Sequence, residues 1–247
     1  FSGTGALGFE AISRGAIQTT FIDNKKGLCE SMNSLAAKLN ININTPSYDK
    51  RSFNKNIAKD MIKVSFENPE DCPRFVAGIV KNVKVGPSPD WLRHKLELAG
   101  QRSINNVVDI SNFVLWEMGQ PSHIFDYDKI ESKEILIRRA TKGEKIKTLD
   151  EESRKLTSNE LLITNGKKPI AIAGIMGGLS TSVNDKSSTL LIECAYFNPP
   201  VIRKGAKNLG MSTEASKRFE RGADPNGTEK AMSVSYTHLT LPTILLV

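Results

Sequence analysis

The sequence predicts an α+β fold: a compact domain of mixed sheet and helix, preceded by a partial α/β piece of Rossmann-like order. Three observations predict it. Between residues 133 and 200, short β-branched runs ("KEILIRRATKGEKIKTLD", "RKLTSNELLITNGKKPIAIAGIMGG", "TLLIECAYFNPP") are broken by Gly, Asn and Pro, the pattern of short strands. Amphipathic stretches flank these runs on both sides and read as helices. The first 43 residues follow a separate order of glycine loop, helix, strand and helix.

That first piece opens "FSGTGALGFEA", with Gly3, Gly5 and Gly8 in a G-x-G-x-x-G spacing and only Phe1 and Ser2 before them. "GALGFEAISRGA" places Leu7, Ala11 and Ile12 on one helical face and stops at Arg14-Gly15. "TTFID" is a short buried strand ending in Asp23, 18 residues after Gly5, and "KKGLCESMNSLAAKLNI" is a second amphipathic helix. In a nucleotide-type unit the glycines let a cofactor approach the backbone and the acid takes ribose hydroxyls. Residues 44–60, with "NTPSYDKRSFNKN", read as a polar linker.

The main domain is expected over residues 61–226. "IKVSFENPEDCPRFVAGIVKNVKVG" gives two β-rich runs around a turn. "PSPDWLRHKLELAG" is a helix with Ser88 or Asp90 near its cap, Pro89 in its first turn and Gly100 at its end. "NNVVDISNFVLWEMG" is a second helix, with Val108, Phe113 and Trp116 free to pack. After the strands, "PVIRKGAKNLGMSTEASKRFERG" reads as a basic helix and its continuation. Residues 227–247 read as a truncated end. "SVSYTHLTLPT" resembles translated sequencing-library adapter, so residues after Met232 are expected to pack poorly and His238 to carry no function.

Composition narrows the class without choosing a function. A hydrophobic fraction of 39% supports a packed core, and a net charge of +7 is compatible with a polyanionic partner. Cys29, Cys72 and Cys194 lack C-x-x-C spacing, which points to reduced, buried thiols and a cytoplasmic protein. With His94, His123 and His238 the only histidines, no metal site is expected. No signal peptide is evident, and no apolar run approaches the roughly 18 residues needed to span a bilayer.

Two resemblances follow from quoted strings. "FSGTGALGFEAISRGA" with "FIDNKK" resembles the S-adenosylmethionine site of the small-subunit (16S) rRNA guanine-N2 methyltransferases, which makes Gly3, Gly5, Gly8 and Asp23 a vestigial cofactor site. The family's first strand and its catalytic Asn/Asp-Pro-Pro-Tyr/Phe loop have no counterpart here. "RSINNVVDISNFVLWEMGQPSHIFDYDKI", "PIAIAGIMGG" and "LLIECAYFNPPVIRKGAKNLGMSTEASKRFERGADP", from about Ile62 to Asn226, resemble the editing domain of the phenylalanyl-tRNA synthetase β subunit. A pocket made for Phe cannot strongly reject Tyr, so such a family hydrolyses mischarged Tyr-tRNA(Phe) at a second site that demands the hydroxyl.

The second resemblance implies roles residue by residue. Glu193 accepts the tyrosine hydroxyl. His123, in a turn after Pro121, stands beside the ester with a near-neutral pKa suited to orienting a water or the terminal ribose. Ser111, where many relatives carry Thr, keeps a hydroxyl for substrate or water, and Thr213 lines the site with Ala215, which is small enough to admit a phenol ring. Gly174 and Ala173 let substrate pass close to backbone. Arg203, Lys204, Lys207, Lys217, Arg218 and Arg221 form a phosphate track for the tRNA end.

Without the resemblance, the same residues also fit a strand-end surface carboxylate (Glu193), a structural hydrogen-bonder (His123), a β-turn glycine (Gly174) and a solvated helix face. The family assembles as α2β2 and activates phenylalanine with ATP and magnesium in its α subunit. The implied partners are therefore tRNA(Phe) and that α subunit, with no cofactor on this chain and neither DNA nor membrane. The alternatives are an S-adenosylmethionine-dependent rRNA methyltransferase and a non-catalytic RNA-binding module.

Overall fold

The computed structural model describes residues 26–39, 41 and 55–240. The chain divides into two compact units, Phe1–Asp49 and Lys50–Val247. In the first, helix α1 (Lys26–Lys38) buries Met32 and Ala36, four residues apart on one face, while Leu35 and Leu39 stay exposed. The glycine loop with Gly3, Gly5 and Gly8, and the strand ending in Asp23, lie outside the described residues.

The second unit begins within the stretch read as linker. Lys55–Met61 forms helix α2, and the Met61 carbonyl accepts a hydrogen bond of 2.7 Å from the Tyr127 hydroxyl, which ties this helix to the domain. The strands that follow are β1 (Lys63–Phe66) and β2 (Arg74–Val80). Helices α3 (Asp90–Leu98) and α4 (Asn106–Met118) come next, then β3 (Ser122–Asp126). Strands β4 (Glu134–Arg139), β5 (Lys145–Lys147), β6 (Ser153–Lys155), β7 (Leu161–Thr164), β8 (Pro169–Ile172), β9 (Met176–Gly177) and β10 (Leu190–Tyr196) complete the sheets. Helices α5 (Pro199–Leu209), α6 (Glu214–Arg221) and α7 (Thr228–Thr240) close the described chain.

The strands sort into a five-stranded sheet of order β1-β4-β7-β8-β9, a three-stranded sheet of order β2-β10-β3 and the β5-β6 hairpin. β1 and β2 are neighbours in sequence but enter different sheets, and β1 pairs in parallel with β4. Side chains alternate across a strand, so Leu191, Glu193 and Ala195 of β10 share a face. Leu191 and Ala195 belong to the main core with Phe125 of β3, Ile135 and Ile137 of β4, Leu161–Ile163 of β7 and Phe219 of α6. Glu193 therefore points into the main core between the two sheets. On the other face of the small sheet, α7 packs against β2, β10 and α4.

Helix ends explain several departures from the sequence reading. Ser88 does not cap α3: Pro89 occupies the cap position, and the Ser88 hydroxyl donates to the buried Asp109 carboxylate at 2.5 Å. That carboxylate also accepts from the Ser103 hydroxyl and the Ile104 amide. α4 is capped by the Asn105 side chain and ends at Gly119, whose φ of +67° suits glycine. The basic stretch forms two helices, α5 and α6. Gly210 at φ +63° ends the first, and a Thr213–Ser216 capping box starts the second. As far as residue 240 the segment after Met232 is not loose: Val234 and Ser235 are buried, and the His238 ring lies 5.6 Å from Trp91 and, edge to face, 5.5 Å from Phe113. Its apolar side chains fall at helical spacing over the β2–β10 face, where Gly78 leaves room for the Met232 sulfur.

Candidate functional site

Glu193 sits mid-strand in β10, the central strand of its sheet, directly opposite Ala77 of β2 on one side and His123 of β3 on the other. Its residue exposure is only 5%, which removes the reading as a surface carboxylate. Burial alone pushes its carboxyl up to about 8, and among the described residues no cation offsets that burial. The group is therefore protonated and neutral at pH 7.

His123 lies in strand β3 and not in a turn, because "SHIFD" alternates and puts His123 and Phe125 on one face. The two rings meet edge to face at 4.5 Å. Burial pushes the imidazole down to about 4, so the expected near-neutral value is corrected: the ring stays uncharged throughout the neutral range.

Both side chains line a cavity of about 70 Å³. Its walls come from Pro121–His123 before and at the start of β3, Ile163 of β7, Ala171 and Ile172 of β8, Gly174–Gly177 in the turn and strand that follow, Glu193 of β10, and Ala215 and Phe219 of α6. A cavity needs roughly 10–15 Å³ per water on this kind of measure, and about 150 Å³ has been enough to hold benzene. In this conformation the site accommodates a few waters, and an aromatic ring enters only if a wall moves.

Of the residues read from sequence, Pro121, His123, Gly174, Glu193 and Ala215 converge on this cavity. Three do not line it. The Ser111 hydroxyl, on α4, donates to the Ser122 carbonyl at 2.7 Å on the far side of β3. Thr213 accepts from the Ser216 amide and donates to the Ile175 carbonyl, both at 3.0 Å. Ala173 is buried in the core, its amide bonded to the Leu161 carbonyl.

Gly174 lines the cavity for a different reason than expected. Its φ is +66°, and a Cβ there would meet Phe219 at 2.9 Å, Phe197 at 3.1 Å and Ile202 at 3.3 Å, so it serves the aromatic core. The glycine that makes room in the site is Gly177, missed in the sequence. A Cβ there would strike the His123 ring, 2.7 Å from Nε2 and closer still to Cε1. The repeated glycine of "GIMGG" was the available signal.

The six basic residues part company. Lys217 and Arg218 both pair with Glu214, at 2.8 and 2.9 Å, and the Arg218 guanidinium lies 4.7 Å over the Trp116 ring. Arg203, Lys204, Lys207 and Arg221 are exposed. Cys72 and Cys194 are buried free thiols pushed up, first by burial and then by Glu193, which disfavours a thiolate nucleophile. Among the described residues no cluster of three His, Cys, Asp or Glu could hold a metal, and no helix is long and apolar enough to cross a membrane.

This α+β fold, with a buried carboxyl and an uncharged imidazole sharing one cavity, is a B3/4 domain: that family matches residues 71–240, and the chain belongs to it. The chain is similar to the phenylalanine–tRNA ligase beta subunits of Geobacillus kaustophilus (53% identical over 173 residues, 70% of this chain and 22% of that protein) and Carboxydothermus hydrogenoformans (52% over 171 residues, 69% and 21%). It is also similar to that of Protochlamydia amoebophila (45% over 203 residues, 81% and 25%). The chain thus spans about a quarter or less of the length of these relatives. Residues 1–68 match a second family, described as conserved hypothetical protein 95. A solved N-terminal fragment of the phenylalanyl-tRNA synthetase beta subunit from Pyrococcus horikoshii is 15% identical with a TM-score of 0.41, covering 74% of this chain and 56% of that one, a likeness too slight to bear on the site.

Proposed function

We propose that the main domain binds the aminoacylated end of tRNA(Phe) and hydrolyses mischarged Tyr-tRNA(Phe), as part of a phenylalanine–tRNA ligase beta subunit that works with an alpha subunit. The observation that carries this reading is the buried carboxyl of Glu193, which lines the cavity opposite His123. A neutral carboxyl offers one donor and one acceptor, a match for a phenol hydroxyl. A phenyl ring would leave it unpaired, and sites built around such a pairing reject the analogue that lacks it by on the order of ten-thousand-fold.

The uncharged His123 ring accepts a hydrogen bond from the attacking water and turns its lone pair toward the ester carbonyl. Water adds to that carbon, the ribose oxygen leaves with the proton, and tyrosine and tRNA are released. Ser111 and Thr213 act at one remove: the first holds the Ser122 carbonyl beside His123, and the second fixes the start of α6 and the Ile175 carbonyl. Exposed Arg203, Lys204, Lys207 and Arg221 supply charge for tRNA phosphates. Neither ATP nor magnesium takes part, so chelation leaves hydrolysis unchanged.

The test is deacylation of Tyr-tRNA(Phe) beside Phe-tRNA(Phe), with Glu193→Gln as control. Loss of tyrosine, sparing of phenylalanine and a fall in selectivity of about tenfold or more in the variant are expected. Equal hydrolysis by wild type and variant, or none by a folded protein, overturns the reading. For residues 1–43, which fall within the second family match, we propose a vestigial S-adenosylmethionine-binding unit. Calorimetric titration with that cofactor tests it, and no heat that depends on Asp23 would dismiss it.

A further inference from the structure

The cavity has one wall on α6 and another at the start of β3, and a cation–π contact joins α6 to α4, the helix that leads into β3. Ala215 and Phe219 line the cavity from α6, and Arg218 projects from the flank of that face, three residues after Ala215 and about 100° around the helix from Phe219. Trp116 belongs to α4, whose cap at Gly119 leads straight into Pro121, Ser122 and His123 of the opposite wall.

The carbon of the Arg218 guanidinium lies over the Trp116 ring, 4.7 Å from its centre. Its side chain is only 16% exposed, and one of its nitrogens donates to both the Glu214 carbonyl (2.8 Å) and the Glu214 carboxylate (2.9 Å). Trp116 is in turn packed on the apolar cluster of Leu92, Leu96, Ile110 and Phe113. Arg218 is thus anchored on its own helix and stacked on the other, an arrangement poorly placed for phosphate binding.

We propose that Arg218 and Trp116 form a latch that sets the spacing of the two cavity walls and so governs admission of the aminoacyl ring. The inference rests on the proposed editing site, and both members are positioning residues. A guanidinium can slide over an indole without losing its own carboxylate partner, so the latch permits the wall movement that a cavity of about 70 Å³ requires while limiting its extent. A lysine at position 218 keeps the charge but loses the planar stacking surface.

The experiment is steady-state hydrolysis of Tyr-tRNA(Phe) and Phe-tRNA(Phe) by the full chain and its Arg218→Lys, Trp116→Leu and Trp116→Phe variants, each with a thermal melt. Losing the stack in Arg218→Lys or Trp116→Leu is expected to raise KM for Tyr-tRNA(Phe) by about three- to tenfold while kcat stays within about twofold, the size of a partly buried cation–π contact. Trp116→Phe, which restores an aromatic face, is expected to recover most of the loss. Unchanged KM in both stack-breaking variants of an active wild type overturns the latch and leaves the editing site standing. So does a lowered melting temperature with unchanged KM. Inactivity of folded wild type overturns the editing reading itself.

Discussion

Glu193 and His123 stand directly opposite each other across β10 and β3, and burial drives them in opposite directions, the carboxyl up to about 8 and the imidazole down to about 4. Both end as neutral polar groups facing one cavity, so the site holds hydrogen-bonding capacity without holding charge.

This opposition gives the protein a characteristic pH profile. Unfolded, the two groups return to about 4.5 and 6.5. Between pH 4.5 and 8 the folded state holds a proton on Glu193 that the unfolded chain has lost, so this term falls as pH rises. Between pH 4 and 6.5 the unfolded chain holds a proton on His123 that the folded state lacks, so this term rises with pH. The two cancel from about pH 4.5 to 6.5, and stability declines from pH 6.5 to 8 by at most about 1.4 kcal/mol per pH unit. Urea denaturation across pH is expected to show that decline in wild type and its absence in Glu193→Gln, which instead gains stability from pH 4 to 6.5.

Gly174→Ala and Gly177→Ala are expected to separate stability from activity. The first forces a positive φ on alanine and drives Cβ into Phe219 and Phe197, a loss of about 2–4 kcal/mol in denaturant melts. The second meets the movable tip of His123, so a smaller stability loss, about 1–2 kcal/mol, should accompany a fall in hydrolysis of about tenfold or more.

Asp109 is fully buried and accepts from Ser88, Ser103 and the Ile104 amide, binding the turns on either side of α3 to α4. Asp109→Ala strands three donors at once and is expected to cost about 3 kcal/mol, whereas Ser103→Ala removes one and costs about 1 kcal/mol. Chemical denaturation of the two variants checks the ratio.

Met232 fills the space above Gly78 and is 3% exposed. Met232→Ala is therefore expected to lose about 2–3 kcal/mol, read by thermal or urea unfolding. An unchanged midpoint would mean that α7 contributes nothing to the β2–β10 face.

Much of this architecture could be read in the sequence because its signals were local. The alternating and β-branched runs became β4, β7, β8 and β10, and Gly100, read at the end of its helix, follows α3 with a left-handed φ of +74°. Glu193 was visible through the family resemblance, since "LLIECAY" alone also fitted a strand-end surface carboxylate. What could not be read depended on distant partners. Ser88 looked like a cap until Asp109, 21 residues away, claimed its hydroxyl. Arg218 looked like a phosphate ligand until Trp116 of another helix lay beneath it. Gly174 and Gly177 are equivalent letters in one motif, and only the packing assigns one to the aromatic core and the other to His123.

The position of β10 between β2 and β3 has a kinetic corollary. A strand bonded on both sides gives up its amide protons only when the sheet itself opens, so the backbone of Glu193 should rank among the slowest in the chain to take up deuterium. α6, eight residues long and at the surface on one face, should exchange far sooner. The group proposed to read the substrate is thus mounted on a strand bonded along both edges, and the wall proposed to yield is mounted on a short helix. Recognition and entry can then be altered independently, one at Glu193 and the other along α6.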